Sequence, residues 1–116
     1  MGEKERHEEI RHAVRDLCSR YPGSYWRRID EGRGYPVKFV KALTEAGWLA
    51  ALIPEKYGGS GLDVSAASVI MEEINRSGGN SGACHAQMYI MGTLLRNGSE
   101  AQKAAYLPKI ASGELR

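Results

Sequence analysis

The sequence predicts an all-α fold of about five helices. Three observations carry that reading. Apolar residues recur at spacings of three and four through most of the chain, which is the period of a helix face. Clusters at Pro22-Gly23, Gly47, Ser77-Gly78-Gly79 and Asn97-Gly98 cut the chain at helix lengths. Apolar and polar residues almost nowhere alternate as they would in a strand, and there is no internal repeat or low-complexity tract.

The first helix is expected from Glu3 to Tyr21, with Ile10, Val14, Leu17 and Tyr21 as its apolar stripe. Ala13 and Cys18 widen that stripe, and Arg6, Glu9, Arg15 and Asp16 form the opposite, wet face. Pro22-Gly23 stops it, because proline lacks the amide and glycine frees the backbone. Ser24 to Tyr35 is polar, holds Gly32 and Gly34, and reads as a connection with a turn of helix. Pro36 then opens a second helix at its first position, where a missing amide costs nothing. Val37, Val40, Leu43 and Ala46, with Phe39, make its apolar side, and Gly47 ends it.

Gly47 to Leu62, GWLAALIPEKYGGSGL, is too irregular for a helix. It reads as a buried apolar strap from Trp48 to Ile53, turned outward at Pro54 and reversed by the glycines. Asp63 or Ser65 caps the third helix, whose core stripe is Val64, Ala67, Met71 and Ile74, with Glu72, Glu73 and Arg76 outside. Asn80 or Ser81 caps the fourth. From Ala83 to Leu95 that helix carries no Asp, Glu, Lys or Arg, so it is buried on several sides or faces a partner. Ser99 and Gln102 form a capping box for the fifth helix, which runs to about Ile110 with Pro108 bending or ending it early. Glu114-Leu115-Arg116 carry no stop signal, so the polypeptide is expected to continue.

Composition excludes several classes. The 116 residues suffice for one domain, spanning residues 1–116. Sixteen basic side chains against fourteen acidic ones are too balanced to argue for a nucleic acid or an anionic membrane. No apolar run approaches the ~20 residues that a membrane-spanning helix needs. Cys18 and Cys84 match no metal or redox spacing and fit buried free thiols in a reducing compartment. The charged N-terminus is unlike a secretory signal. A cytoplasmic protein is expected.

Residues that could carry chemistry point mostly to structural roles. His7 and His12 fall on different helix faces, which argues against a shared metal. Cys84 and His85 are neighbours on a helix, so their side chains diverge by about 100° and cannot act as a nucleophile-base pair. Gly58, Gly59 and Gly61 precede a helix, but their spacing matches no phosphate loop, and the strand-loop-helix context is missing. They read as a tight left-handed turn, and a side chain at Gly59 is expected to be costly if its φ is positive. Glu72-Glu73 are adjacent and do not converge, so both are expected in solvent. The uncharged helix, with Met88, Tyr89 and Met91, either lines an apolar pocket or simply packs a core.

Several stretches together resemble one family. Pro36 to Leu43, Glu45 to Leu49 and Ile53 to Leu62 are similar to the N-terminal helical domain of acyl-CoA dehydrogenases. Glu72-Glu73-Ile74, Asn97 to Lys103, Tyr106-Leu107-Pro108 and Ser112-Gly113-Glu114 follow in the family's order. The resemblance implies a larger protein with a helical N-terminal domain, a middle β-domain and a C-terminal helical bundle. It implies FAD as cofactor and α,β-dehydrogenation of an acyl-CoA thioester. In that reaction a glutamate takes the α-proton and the flavin takes the β-hydrogen as hydride. It further implies an electron-transfer flavoprotein as partner and a homo-oligomer.

The resemblance assigns no catalytic, cofactor-binding or metal residue to this chain. The family's flavin-contacting Thr-Glu-Pro and Gly-Ser-Asp segment would begin after Arg116, and no glutamate here matches its base. The helix matching Ser81 to Leu95 supplies one wall of the family's acyl pocket, so His85, Met88 and Tyr89 are the expected substrate-binding residues. Alone, the chain is expected to be inactive, and self-associating or marginally stable. Two alternatives are a flavin oxidase or monooxygenase on the same fold, and a non-catalytic helical interaction module.

Overall fold

The computed structural model describes residues 2–116. The fold is all-α, as the periodicity predicts, and the described residues contain six helices. These are α1 (Glu3–Ser19), α2 (Gly23–Glu31), α3 (Val37–Glu45), α4 (Val64–Arg76), α5 (Gly82–Asn97) and α6 (Glu100–Ser112). Single 3-10 turns at Trp48–Ala50 and Glu55–Tyr57 break the run between α3 and α4.

Helix α2 is the element that periodicity misses. Pro22-Gly23 does stop α1, but Pro22 also stands as the N-cap of α2, and the next helix begins at once. No residue of α2 is fully buried. Its half-buried aromatics hold it instead: Trp26 stands edge-on to Phe39 of α3 at 4.9 Å, and Tyr25 edge-on to Tyr21 at 5.0 Å. Such pairs contribute about 0.5–1.5 kcal/mol each beyond the area they bury. The Trp26 indole N–H also donates to the Tyr21 carbonyl at 3.0 Å.

The helix ends follow the expected chemistry with small displacements. Pro36 is the N-cap of α3 rather than its first residue, and its carbonyl accepts from the Val40 amide at 3.0 Å. Asp63 caps α4 by accepting from the Ala66 amide at 2.9 Å. Ser81 occupies the N-cap of α5 but donates its hydroxyl to Asn75 Oδ1, while Asn80 Oδ1 accepts from the Gly82 amide. Both bonds of the Ser99–Gln102 capping box form. Pro108 does not end α6, which continues to Ser112 and a left-handed Gly113 cap. Pro108 and Ala104 are both exposed, so the carbonyl that loses its helical donor faces water.

The irregular stretch after α3 is the hub. The Trp48–Ala50 turn packs against α3, α5 and α6. Leu49, Ala50, Ala51 and Ile53 are buried, confirming the apolar strap. The returning segment bonds back onto it: the amides of Ser60, Gly61 and Leu62 donate to the carbonyls of Ala50, Ile53 and Ala51. Gly47, Gly58 and Gly61 have positive φ, and Gly59 does not. Gly59 is constrained by space, because a Cβ there would fall on the Ile53 carbonyl oxygen and within 2.6 Å of its carbonyl carbon.

The stripes also need correction. Val37 and Ala46 of α3 are exposed, leaving Phe39, Val40 and Leu43 as its buried side. On α1, Ala13 is exposed, while Ile10, Val14, Leu17 and Cys18 are buried. On α4 the buried face runs through Ala66, Ala67, Val69, Ile70, Glu73 and Ile74, and Val64 is exposed. Glu73 therefore points inward against α1, although the sequence places it in solvent. Its side chain is 1% exposed. Arg15 Nε and Nη2 donate to its two oxygens at 3.2 and 3.0 Å, and Arg11 Nη1 donates at 3.3 Å. Arg11 Nη1 also donates to Glu72 at 3.0 Å. Arg15, expected on a free polar face, is part of a latch between α1 and α4.

Candidate functional site

Helices α4 and α5 diverge enough to leave an open groove of about 440 Å³. On α5, His85, Met88, Tyr89, Gly92 and Arg96 follow one another at helical spacing and line one side. The other side comes from Val64, Ala67, Ser68 and Met71 of α4, with Leu52 from the strap. Of the Val64–Ala67–Met71 spacing, read in the sequence as a core stripe, Ala67 is buried in the core while also bordering the groove, and exposed Val64 and half-buried Met71 are groove wall. Only Ile74 of that series is fully excluded from solvent. The α4 residues are missed as site residues because a lining stripe and a core stripe have the same period.

The three residues expected at the site stand together on this groove. Met88 is nearly buried, with its thioether side chain between groove and core, whereas His85 is exposed and Tyr89 projects outward. Tyr89 also lines a second groove of about 360 Å³ between α5 and α6, with Ile90, Leu94, Tyr106, Ile110 and Leu115. That surface is almost wholly apolar, and Tyr89, Ile90, Tyr106 and Leu115 are exposed large side chains. In the uncharged stretch of α5, Cys84, Gln87, Met88 and Met91 face the core, while His85, Tyr89, Ile90, Gly92, Thr93 and Leu94 border the two grooves.

Nothing in the α4–α5 groove performs acid-base or nucleophilic chemistry by itself. Cys84 faces inward, away from exposed His85, and burial pushes its thiol up to about 12, with Cys18 adding to the effect. Burial likewise raises the Cys18 thiol. Glu73 is the one buried carboxylate among the described residues, and Arg15, with help from Arg11, holds it below its ordinary pKa. It serves the α1–α4 latch. No three His, Cys, Asp or Glu among the described residues converge as metal ligands.

The polar part of the groove lining is Ser68, His85, Tyr89 and Arg96, and the rest of it is apolar or glycine. A larger hollow of about 500 Å³ is bordered by Trp26, Asp30, Arg33 and the Gly78–Asn80 turn. Its rim carries both a carboxylate and a guanidinium, which suits neither a polyanion nor a neutral apolar chain.

The helices, with open grooves on both sides of α5, define an all-helical domain. Residues 4–114 match the family described as "Acyl-CoA dehydrogenase, N-terminal domain". The chain belongs to this family. A probable acyl-CoA dehydrogenase of Mycobacterium tuberculosis is 34% identical over 110 residues, covering 93% of this chain and 28% of that protein. The mitochondrial isovaleryl-CoA dehydrogenase of Pongo abelii is 36% identical over 118 residues, covering 97% of this chain and 28% of that protein. The 3-(aryl)acrylate reductase of Clostridium sporogenes is 33% identical over 112 residues, covering 95% and 30%. The chain thus spans less than a third of the length of these relatives. No helix among the described residues is long and apolar enough to cross a membrane.

Proposed function

We propose that this chain is the N-terminal domain of a FAD-dependent acyl-CoA dehydrogenase, catalysing α,β-dehydrogenation of an acyl-CoA thioester. Its own part is to supply one wall of the acyl pocket, and it is inactive alone. The observation that supports this is the α4–α5 groove, where His85, Met88 and Tyr89 meet Val64, Ala67, Met71 and Leu52 across an open trough. An acyl tail laid there would leave water at about 0.8 kcal/mol per buried methylene. Met88 and Met71 suit such a ligand, because thioether side chains repack around chains of different shape.

The flavin and the catalytic base belong to the remainder of the protein. The apolar α5–α6 groove is the face we assign to that remainder, since it offers only apolar contact and would otherwise stay wet. By family, the whole enzyme passes electrons to an electron-transfer flavoprotein and is a homo-oligomer. The two buried free thiols support a reducing compartment such as the cytoplasm.

The test uses the full-length protein. It should purify yellow, and anaerobic addition of a saturated acyl-CoA should bleach the flavin band while the enoyl-CoA product forms. A purified flavoprotein that no acyl-CoA bleaches would refute the proposed reaction.

A further inference from the structure

We infer that the hollow between the end of α2 and the turn leading into α5 binds a small zwitterion, an α-amino acid with an apolar side chain. The hollow shares no lining residue with the α4–α5 groove, so it stands apart from the acyl-groove reading. Arg33 holds the one left-handed non-glycine backbone among the described residues, with a φ of 51°. The end of α2 imposes that angle. The amides of Arg33 and Gly34 donate to the carbonyls of Asp30 and Ile29 at 3.1 and 2.9 Å, a closure that needs a left-handed residue at position 33. Glycine adopts this conformation without strain, and arginine does not. Gly32 and Gly34 flank the position without positive φ, so the strained place is the one that carries a long side chain. Strain of this kind gathers where a side chain is used.

The Arg33 side chain borders the hollow of about 500 Å³, a size typical of small-molecule sites. Asp30 borders it too, and neither residue forms an ion pair with the other or with any described residue. Unpaired charges of opposite sign therefore share one space. Half-buried Trp26 and Ile29 add an apolar wall. Gly78 and Gly79 add bare backbone, and a Cβ at Gly79 would press to 3.1 Å from the Trp26 ring. The helix ends carry the same polarity. Helix α2 finishes at Glu31, which favours a cation beside Asp30, and α5 begins just past Asn80, which favours an anion. An amino acid meets all of these features. Its ammonium pairs with Asp30, its carboxylate takes the Arg33 fork, and its side chain lies against Trp26 and Ile29.

The experiment titrates the full-length holoprotein with L-leucine, followed by saturation-transfer NMR. Isopentylamine and 4-methylpentanoate, which keep the side chain and lose one charge each, are the comparison ligands. Leucine should bind with a Kd on the order of 1 mM, as two exposed charges allow, and each comparison ligand about tenfold more weakly. Arg33→Gly should weaken leucine about tenfold while raising Tm, because glycine relieves the backbone. Asp30→Asn, an exposed change, should weaken leucine by a similar factor with Tm unchanged, which separates loss of the site from loss of the fold. Wild-type protein that does not bind leucine would overturn the inference, whether the hollow is empty or covered by the rest of the polypeptide. So would comparison ligands that match leucine, or leucine binding that survives in both variants. A Tm that falls in Arg33→Gly would overturn the strain at position 33.

Discussion

Glu73→Gln is the substitution that most directly tests how the domain is held together. The side chain keeps its shape and loses its charge. In the native protein the carboxylate receives three hydrogen bonds from Arg11 and Arg15 at 3.0–3.3 Å while 1% exposed. Hydrogen bonds to a charged group contribute about 1.5–3 kcal/mol each, and breaking a buried ion pair costs about 3–5 kcal/mol. The groups left behind here are guanidiniums that are 24% and 51% exposed, so they rehydrate in part. The expected cost is therefore about 2–3 kcal/mol, below the range for a fully buried pair. In a domain this size that lowers Tm by roughly 10 °C.

The pH dependence fixes the cause. Arg15 and Arg11 lower the folded-state pKa of Glu73. Its contribution is then fully present above the unfolded carboxylate value of about 4.3, and is lost as pH falls through the folded value beneath it. Urea unfolding followed by circular dichroism, at neutral pH and again near the acid limit of folding, measures both effects. The gap between wild type and Glu73→Gln should be widest at neutral pH and close toward acid. A loss under about 0.5 kcal/mol, or a gap that does not narrow in acid, would show that the latch is not electrostatic in the way described.

Three further outcomes follow from the same geometry. Gly59→Ala should cost about 3 kcal/mol, because its Cβ meets the rigid Ile53 carbonyl. Gly58→Ala, whose only obstacle is a φ of 88°, should cost about 1–2 kcal/mol. Thermal melts that rank the two the other way would contradict the packing of the hub. Ser99→Ala removes half of the α6 capping box and should lower stability by about 1 kcal/mol, read from the urea midpoint. Cys84 should resist iodoacetamide at pH 8 in the native protein, since a thiol pushed up to about 12 carries roughly a thousandfold less thiolate than an ordinary one. Prompt labelling by mass spectrometry would mean that the α5 core face opens.

Much of the fold was legible because helix ends and helix faces are local. The Ser99 box, the Asp63 cap and the Gly47 stop depend on residues within one turn of each other, and each appears where its residue types place it. Helix α2 was not legible, because its stability comes from aromatic contacts with Tyr21 and Phe39, on the chain to either side of it. The same limit applies to the site. His85, Met88 and Tyr89 come from the uncharged stretch of α5, and its composition and the family resemblance mark them as candidates. Their facing wall on α4 required knowing which side of that helix turns toward α5.

The sequence by itself determined the class, the family and five of the six helices, since these rest on periodicity, on caps and on motifs read along the chain. It also marked the Gly47–Leu62 stretch as special. Only the tertiary structure decided where Glu73 points and why Gly59 must be glycine. Each of those depends on an atom distant in sequence or across a fold boundary: Arg11 and Arg15 for Glu73, and the Ile53 carbonyl for Gly59. Local chemistry is written in the order of residues, but packing brings together residues that the order keeps apart.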